Sequence, residues 1–303
     1  MKISHFFLIL VLSIFMGCVK QKTEPMVHFR VTFSTTQERL NNLAQPTEVP
    51  TGHAAQSPLM NALGLHYLEL APTATTALGK GQIVMTSPET TQGGSKAITF
   101  SSIEKAKDSA IIVSIPLKNL AIGKYEWVRA SVAYQNYDIF FNLMNVPIVG
   151  NLPNERGTLA SFVGFNNYIT TYKVFSIDDV VQANRKQGYW AFETKLNAPY
   201  NTYNKVSNGQ SPEGSTTVVN PLAQTSPIPA GSCVVTGKFE TPLSITGTET
   251  EDVTVWLSFS INKSFEWEET INRNGKWDID VQNSAIERVT DMGLRGLKVR
   301  VSK

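Results

Sequence analysis

Apolar and polar residues alternate with a period of two along several stretches, and that spacing constrains the fold more than any other feature of the chain. In "VHFRVTF", Val27, Phe29, Val31 and Phe33 fall on one side of an extended backbone, while His28, Arg30 and Thr32 fall on the other. Successive side chains of a strand point to opposite faces, so this is the signature of a half-buried strand. "VTVWLSFSI" repeats it with Val253, Val255, Leu257, Phe259 and Ile261 inward, and "YEWVRASVAYQNY" with Val128, Ala130, Val132 and Tyr134. The shorter apolar run "AIIVSIPL" suits a central strand that Pro116 closes. Turn clusters such as "TTQGGSK", "LAIGK", "NLPNERG" and "NRKQG" separate these stretches at the spacing of an antiparallel sandwich.

The expected fold is therefore all-β, an antiparallel β-sandwich of one unit or two packed halves with at most one short helix. The helical candidate is "SIDDVVQANRKQ", where Ser176 would cap and Asp178 and Asp179 would face the helix dipole. Residues 27–200 carry the sandwich. From Asn201 to Gly231 the chain is rich in Pro, Gly, Ser, Thr and Asn, with only "STTVV" as a strand seed, which predicts a long loop or linker. The 72 residues from Ser232 to Lys303 would bury a small core alone, so they are expected to complete the sandwich, a small second β domain being the alternative.

The chain opens with "MKISHFFLILVLSIFMG", in which Lys2 precedes an eleven-residue apolar run, Phe6 to Met16, broken only by Ser13. This reads as a secretory signal, too short to span a bilayer. Gly17 directly before Cys18 resembles the bacterial lipobox, which implies cleavage by signal peptidase II and a lipid on Cys18 as the mature N-terminus. Phe15 stands where that pattern usually has leucine. The alternative is an ordinary secretory signal with an incidental cysteine. Residues 18–26 then form a polar tether. On this reading the protein sits in the bacterial envelope, lipid-anchored at the outer membrane, with the membrane as its first partner.

With Lys2 removed, one fewer than the chain's 27 basic residues faces its 25 acidic ones, a net charge of +1. That balance argues against a nucleic-acid partner. A lipidated Cys18 leaves Cys233 without a partner for a disulfide, so stability has to come from the core. Cys233 lies in the strand-like "GSCVVTGKF", where a buried small residue is the expected role.

One stretch gathers carboxylates, "FEWEETINRNGKWDID", Phe265 to Asp280. Asn274-Gly275 predicts a tight hairpin turn. A two-residue loop, however, would set Arg273 against Lys276 and Glu269 against Asp280, like-charge pairs that disfavour the ladder. As a calcium loop with Gly275 at the sixth position, Thr270, Asn272, Asn274, the Lys276 carbonyl and Asp278 would be ligands, with Val281 where a bidentate glutamate belongs. Glu269 and Asp280 offer substitutes. A metal-free turn is the preferred reading, in which Asp278→Ala costs little, and calcium on Glu269, Asn272, Asn274, Asp278 and Asp280 is the alternative. Trp267 and Trp277 are expected to cover the turn.

Three histidines remain in the mature chain, His28, His53 and His66, without HExxH, paired Cys-His spacing or a GxSxG elbow. No catalytic residue is assigned. The order of "VHFRVTF", "LGLHYLEL", "PLKNLAIGKYEWVRASVAY", "GKFETPLSI" and "VTVWLSFSINKSFEW" resembles the strand order of the MbnP-like family, secreted β-sandwich proteins linked to copper handling. The resemblance implies a sandwich and copper. The family's tyrosine-serine-asparagine strand and tryptophan-rich metal segment are absent, so no ligand residue carries over. The expected function is a non-catalytic envelope lipoprotein that binds a partner protein or a glycan, the glycan stacking on Tyr168, Tyr172, Tyr200 and Tyr203. Metal binding and glycan cleavage are the rivals.

Overall fold

The computed structural model describes residues 24–198, 201–225, 228 and 232–303. Cys18, the signal segment and Tyr200 lie outside them. In chain order the first strands are β1 (Met26–Ser34), β2 (His53–Gln56), β3 (Leu59–Ala71), β4 (Gln82–Thr86), β5 (Glu89–Thr90), β6 (Ala97–Thr99), β7 (Glu104–Ala106), β8 (Ile111–Pro116), β9 (Gly123–Val146) and β10 (Gly150–Phe162). They are followed by β11 (Asn166–Lys173), β12 (Asp178–Lys186), β13 (Tyr189–Ala198), β14 (Asn201–Gln210), β15 (Val234–Ile245) and β16 (Val253–Ser260). The last five are β17 (Phe265–Glu268), β18 (Trp277–Asp280), β19 (Ala285–Ile286), β20 (Val289–Asp291) and β21 (Leu297–Ser302). Among the described residues there is no α-helix, only single 3-10 turns at Phe100–Ser102 and Leu117–Asn119.

The fold is the all-β, sandwich-like one that the alternation predicts. The main sheet runs β14-β13-β10-β9-β15-β21-β16-β1-β8, with β3, β4, β7, β18 and β19 attached through β9 and β3. Two smaller sheets, β12-β11-β6-β5 and β2-β17-β20, cover its faces. The pairing is mixed, because β1 runs parallel to β16 and β18 parallel to β9. The 232–303 segment joins the earlier strands at four places: β15 and β18 on β9, β16 on β1 and β17 on β2.

Strand β9 is shared by everything. Its first half pairs with β3 and β15, the stretch from Tyr134 to Asp138 with β3 and β10, and its end with β10 and β18. From Trp127 to Ile139 every residue is buried, so both faces of the strand are covered. Val128, Ala130 and Val132 face the first core with Phe29, Val31 and Val255. Tyr134 packs with Phe100 and Phe162 in a second core, while Tyr137, Ile139 and Phe141 pack with Phe265 and Trp277 in a third. The polar residues of β9 bring their own partners inside. Arg129 pairs with the equally buried Glu69 at 3.7 Å, and Asp138 accepts hydrogen bonds from Asn61, Arg156 and Thr158.

Four expectations are corrected. The 176–187 stretch is no helix: β12 pairs with β11, and its apolar Val181 faces the second core while Val180 is exposed, a period of two. The loop expected over 201–231 begins as a strand, β14, because backbone pairing with β13 compensates for its Asn- and Ser-rich composition. "STTVV" forms no strand. "AIIVSIPL" is an edge strand, β8, pairing only with β1 among the described residues, where Pro116 leaves no ladder bond unmade.

In place of a helix cap, Ser176 closes a turn onto β13. The Glu193 carboxylate accepts the amides of Phe175, Ser176 and Ile177 at 2.9, 3.0 and 3.1 Å and the Ser176 hydroxyl at 2.5 Å. Burial alone would raise the Glu193 pKa, but these hydrogen bonds outweigh it and hold the carboxyl below its ordinary value. A depressed folded pKa stabilises fully above the unfolded value, roughly 4.3, and that contribution is lost as pH falls through the folded value. The amides of 175–177 should therefore lose protection from hydrogen exchange as pH falls through the folded value, and Glu193→Gln should weaken their protection at neutral pH. Equal protection of these amides in the wild type and in Glu193→Gln at neutral pH would contradict this assignment.

Candidate functional site

The carboxylates of the 265–280 stretch turn inward onto N–H groups. Asp278 is fully buried: its Oδ1 accepts the Asn142 amide at 2.7 Å, and its Oδ2 accepts those of Asn272 and Asn274 at 3.0 and 2.9 Å. Glu287 reaches back from beyond the stretch, its Oε1 taking the backbone N–H groups of Thr270 and Ile271 at 2.9 and 3.1 Å and its Oε2 that of Asp278 at 2.8 Å. Burial pushes the Glu287 carboxyl up, the neighbouring Asp278 charge adds to this, and the three backbone donors oppose it. Asp280 accepts the Asn283 backbone and side-chain N–H groups and the Asn145 amide, and the Asn283 bonds hold its pKa down. Glu269 accepts the Gly275 N–H.

The predicted hairpin does not form. β17 pairs with β2 and β20, and β18 with β9 and β19, so the two strands flanking Asn274-Gly275 belong to different sheets. Like-charge cross-strand pairs disfavour the ladder, and Phe265, Trp267 and Trp277 still meet in one core although their strands pair elsewhere. Gly275 still supplies the expected positive φ, +72°, joined by Arg273 at +46°. The tryptophans do not cover the turn either: Trp277 packs against Phe192 and Phe265, both at 5.3 Å between ring centroids, and Trp267 is wholly buried. Among the described residues no group of three or more His, Cys, Asp and Glu side chains gathers where it could hold a metal ion.

This loop is one wall of a groove. Trp277 and Phe192, packed on each other, underlie an apolar cleft of about 840 Å³ that Ile279 and Ile286 line on one side and Trp190 and the β14 strand on the other. A smaller cleft of about 330 Å³ continues past Trp190, Trp277 and Ile286 to Met292. Two glycines let the opposite wall form. A Cβ on Gly209 would come within 2.7 Å of the Trp190 indole, and one on Gly157 within 2.3 Å of the Phe192 ring, so both rings lie flat against neighbouring backbone. Thr194, Lys205 and Asp280 make the polar rim.

At one end of the cleft stands the β9–β10 hairpin, whose tip residues Pro147 and Val149 line it. Ile148 between them is fully exposed and holds φ at +69°. A β-branched residue resists that region, so an apolar side chain is kept in water on a strained backbone. Val281 and Ile286 are also exposed beside the cleft. Contiguous apolar surface with a polar rim marks interaction sites. Beneath the groove the small β2-β17-β20 sheet is fixed by the buried Glu266, which receives Arg39, Arg295 and His53.

The remaining sequence candidates are scattered. Tyr172 is buried, its hydroxyl donating to Asp179 at 2.8 Å and its ring packed on Phe162, so it cannot stack on a glycan. Tyr168 is half-buried on β11. Tyr203 lies in β14, its side chain outside the described set. His28, His53 and His66 sit on β1, β2 and β3, and His28 and His53 meet Ser114 and Glu266, both at 2.7 Å. Neither Trp190 nor the Ile148 tip was singled out by pattern. Gly157 fell in the expected turn cluster "NLPNERG" and Gly209 in the expected loop, so neither stood out as a strand glycine, which often marks close approach. No protein-family model matches the chain, no curated protein is similar to it, and no solved structure matches its fold.

The burial of Asp278 reverses the expectation that removing it costs little. Asp278→Ala removes the acceptor of three amide groups, of which those of the exposed Asn272 and Asn274 can turn to water while that of Asn142 is half-buried, so a loss of about 1–3 kcal/mol in urea unfolding is expected. Gly275→Val, with open space around its Cβ, should cost only the backbone strain, about 1–2 kcal/mol. The wild-type midpoint should not move with chelator. A chelator-induced fall, restored by calcium and lost in Asp278→Ala, would assign a structural cation instead.

Proposed function

We propose that this chain is a non-catalytic lipoprotein of the bacterial envelope, anchored through Cys18, that captures an extended apolar segment of a partner protein in the groove between Trp190 and Trp277. The observation that carries this reading is that β14, an edge strand, forms a side of the groove: among the described residues it pairs only with β13. An unpaired strand edge is a template for another strand, and a partner added there gains main-chain hydrogen bonds while alternate side chains reach one face. On β13 and β14 that face carries Trp190, Phe192 and Thr194 opposite Gly209, Ser207 and Lys205. An apolar residue of the partner thus meets indole and isoleucine surface, and the exposed Ile148, Val149 and Ile286 would be covered with it.

A glycan is the weaker fit. Sugars need aromatic faces open to solvent with polar groups around them, whereas the indole of Trp277 is buried edge-on among Phe141, Phe192 and Phe265.

Panning a displayed library of random peptides against the purified chain carrying Cys18→Ser tests the groove. Enriched peptides should alternate apolar residues, slow hydrogen exchange along residues 204–209, and lose about tenfold in affinity, 1.4 kcal/mol, on Ile286→Asp. Ile286 is half exposed, so the fold should tolerate the change. Absence of enrichment, or binding indifferent to Ile286→Asp, would remove the protein-capture reading. An oligosaccharide that protects β14 where peptides do not would replace it with the glycan one. The anchor is tested in cells: Cys18→Ser should release the protein into the soluble envelope fraction or stall its processing, since two or three acyl chains are what make such anchoring stable. A processed Ser variant still bound to membranes would refute the lipid reading.

A further inference from the structure

A second cavity lies beside β3, where that strand carries an extra residue. Leu65 stands opposite Val132 and Tyr67 opposite Ser131, so the β9 ladder skips His66. A bulge leaves its residue out of the pairing and re-aims the side chain. The His66 carbonyl is taken by the Ser87 N–H at 2.7 Å, and the ring lies in the wall of a cavity of about 560 Å³ with Tyr67, Ser131, Phe165 and Cys233. The Glu89–Lys96 ion pair, 2.6 Å, stands at its polar side.

His66 is 8% exposed, and its Nδ1 has no hydrogen-bond partner. A buried polar atom of this kind calls for an explanation, because leaving it unpaired costs stability that a partner would restore. One water occupies roughly 30 Å³, far less than the space present. Burial drives the His66 pKa down to about 4, with Lys96 adding to the effect and Glu89 and the Ser131 backbone opposing it. The ring is therefore neutral at ordinary pH, with one lone pair and one N–H.

That chemistry selects the ligand. A hydroxyl satisfies Nδ1 in either tautomer, donating to the lone pair or accepting from the N–H. A carboxylate, phosphate or ammonium would have to bury a charge beside neutral groups, because the nearest ions, Glu89 and Lys96, already neutralise each other. Other neutral partners stand around the same space. The Tyr67 phenol is held protonated by burial and the Glu69 charge, and the Ser131 hydroxyl and Cys233 thiol lie 2.7 Å apart, the thiol kept protonated by burial. Phe165, its ring centroid 6.3 Å from that of His66, offers an apolar face. Converging neutral hydrogen-bonding groups beside one aromatic face are the requirements of a sugar ring or similar polyol.

We propose that the cavity at the β3 bulge binds a small neutral sugar or polyol, with a ligand hydroxyl on His66 Nδ1 and a C–H face on Phe165. The site is independent of the groove. The test titrates the purified chain with glucose, galactose, N-acetylglucosamine, inositol and glycerol, with glucuronate and glucosamine as charged counterparts. Binding is followed by calorimetry and by the nitrogen resonances of labelled histidine. At least one neutral compound should bind saturably and shift the His66 Nδ1 signal, with its charged counterpart at least tenfold weaker. His66→Phe, which removes the orphan atom, should melt no lower than wild type and lose at least tenfold in affinity. His66→Gln, with an acceptor and a donor, should retain part of it, Phe165→Leu should weaken it, and Ile286→Asp should leave it unchanged. Should His66→Phe fail to fold, His66→Gln and Phe165→Leu carry the decision. No saturable binding by any neutral compound means the cavity holds only water and overturns the proposal, as does binding that leaves the His66 signal in place or is indifferent to the His66 and Phe165 substitutions.

Discussion

A strand covered on both faces has nowhere to put a polar side chain unless the partner comes inside with it, and β9 is such a strand. Its thirteen successive buried residues include Arg129, Ser131, Gln135, Asn136 and Asp138. Each of the four larger ones is answered from another element: Arg129 by Glu69 of β3, Gln135 by the Met292 carbonyl, Asn136 by the Val174 carbonyl and Asp138 by Thr158 of β10. A buried charge pair contributes little net stability against a well-packed apolar pair, yet breaking one costs about 3–5 kcal/mol. These contacts fix which element lies against which part of β9, so the three cores meet along one strand in one register.

That division of β9 also explains why the two halves do not separate into domains. The first half belongs to a core built on β1, β3, β15, β16 and β21, and the second half is sandwiched between two further cores. C-terminal strands pair into both. β15 lies on the first half and β18 on the second, so chain that follows the 201–231 segment is needed on each side of the molecule. The non-local pairing this demands closes long loops, which slows folding more than it weakens the folded state.

Much of the architecture was legible in the alternation. Val27, Phe29 and Val31 are fully buried, as are Val255, Leu257 and Phe259, because period two forces one face inward whatever the partner strand. What alternation could not reveal was that the polar residues of β9, Arg129 and Asp138 among them, are buried in company. Composition misled at β14, where Asn, Ser and Gly suggested a loop although a single neighbour, β13, suffices to make a strand. Asp178-Asp179 suggested a helix start, but Asp179 serves as the acceptor for Tyr172. The site was half visible. The 265–280 stretch stood out, while its meaning depended on Asn142, Asn145 and Glu287, residues whose proximity only the fold creates.

The groove and its wall are parts of one solution. A loop carrying Glu269, Asp278 and Asp280 would repel itself in water-poor surroundings, and the chain supplies asparagine amides and backbone N–H groups to take up the carboxylate oxygens. Because these donors are themselves held by β9 and by the loop backbone, the carboxylates order the segment in which they lie, and Trp277 and Ile279 are held at fixed positions. A wall ordered in advance reduces what a partner must spend on ordering the surface it meets. The opposite side, β14, is different in kind: a polar edge strand that among the described residues pairs with β13 alone. One side of the cleft is thus ordered for side-chain contact and the other for backbone pairing, and the extended polypeptide we propose as ligand would use both.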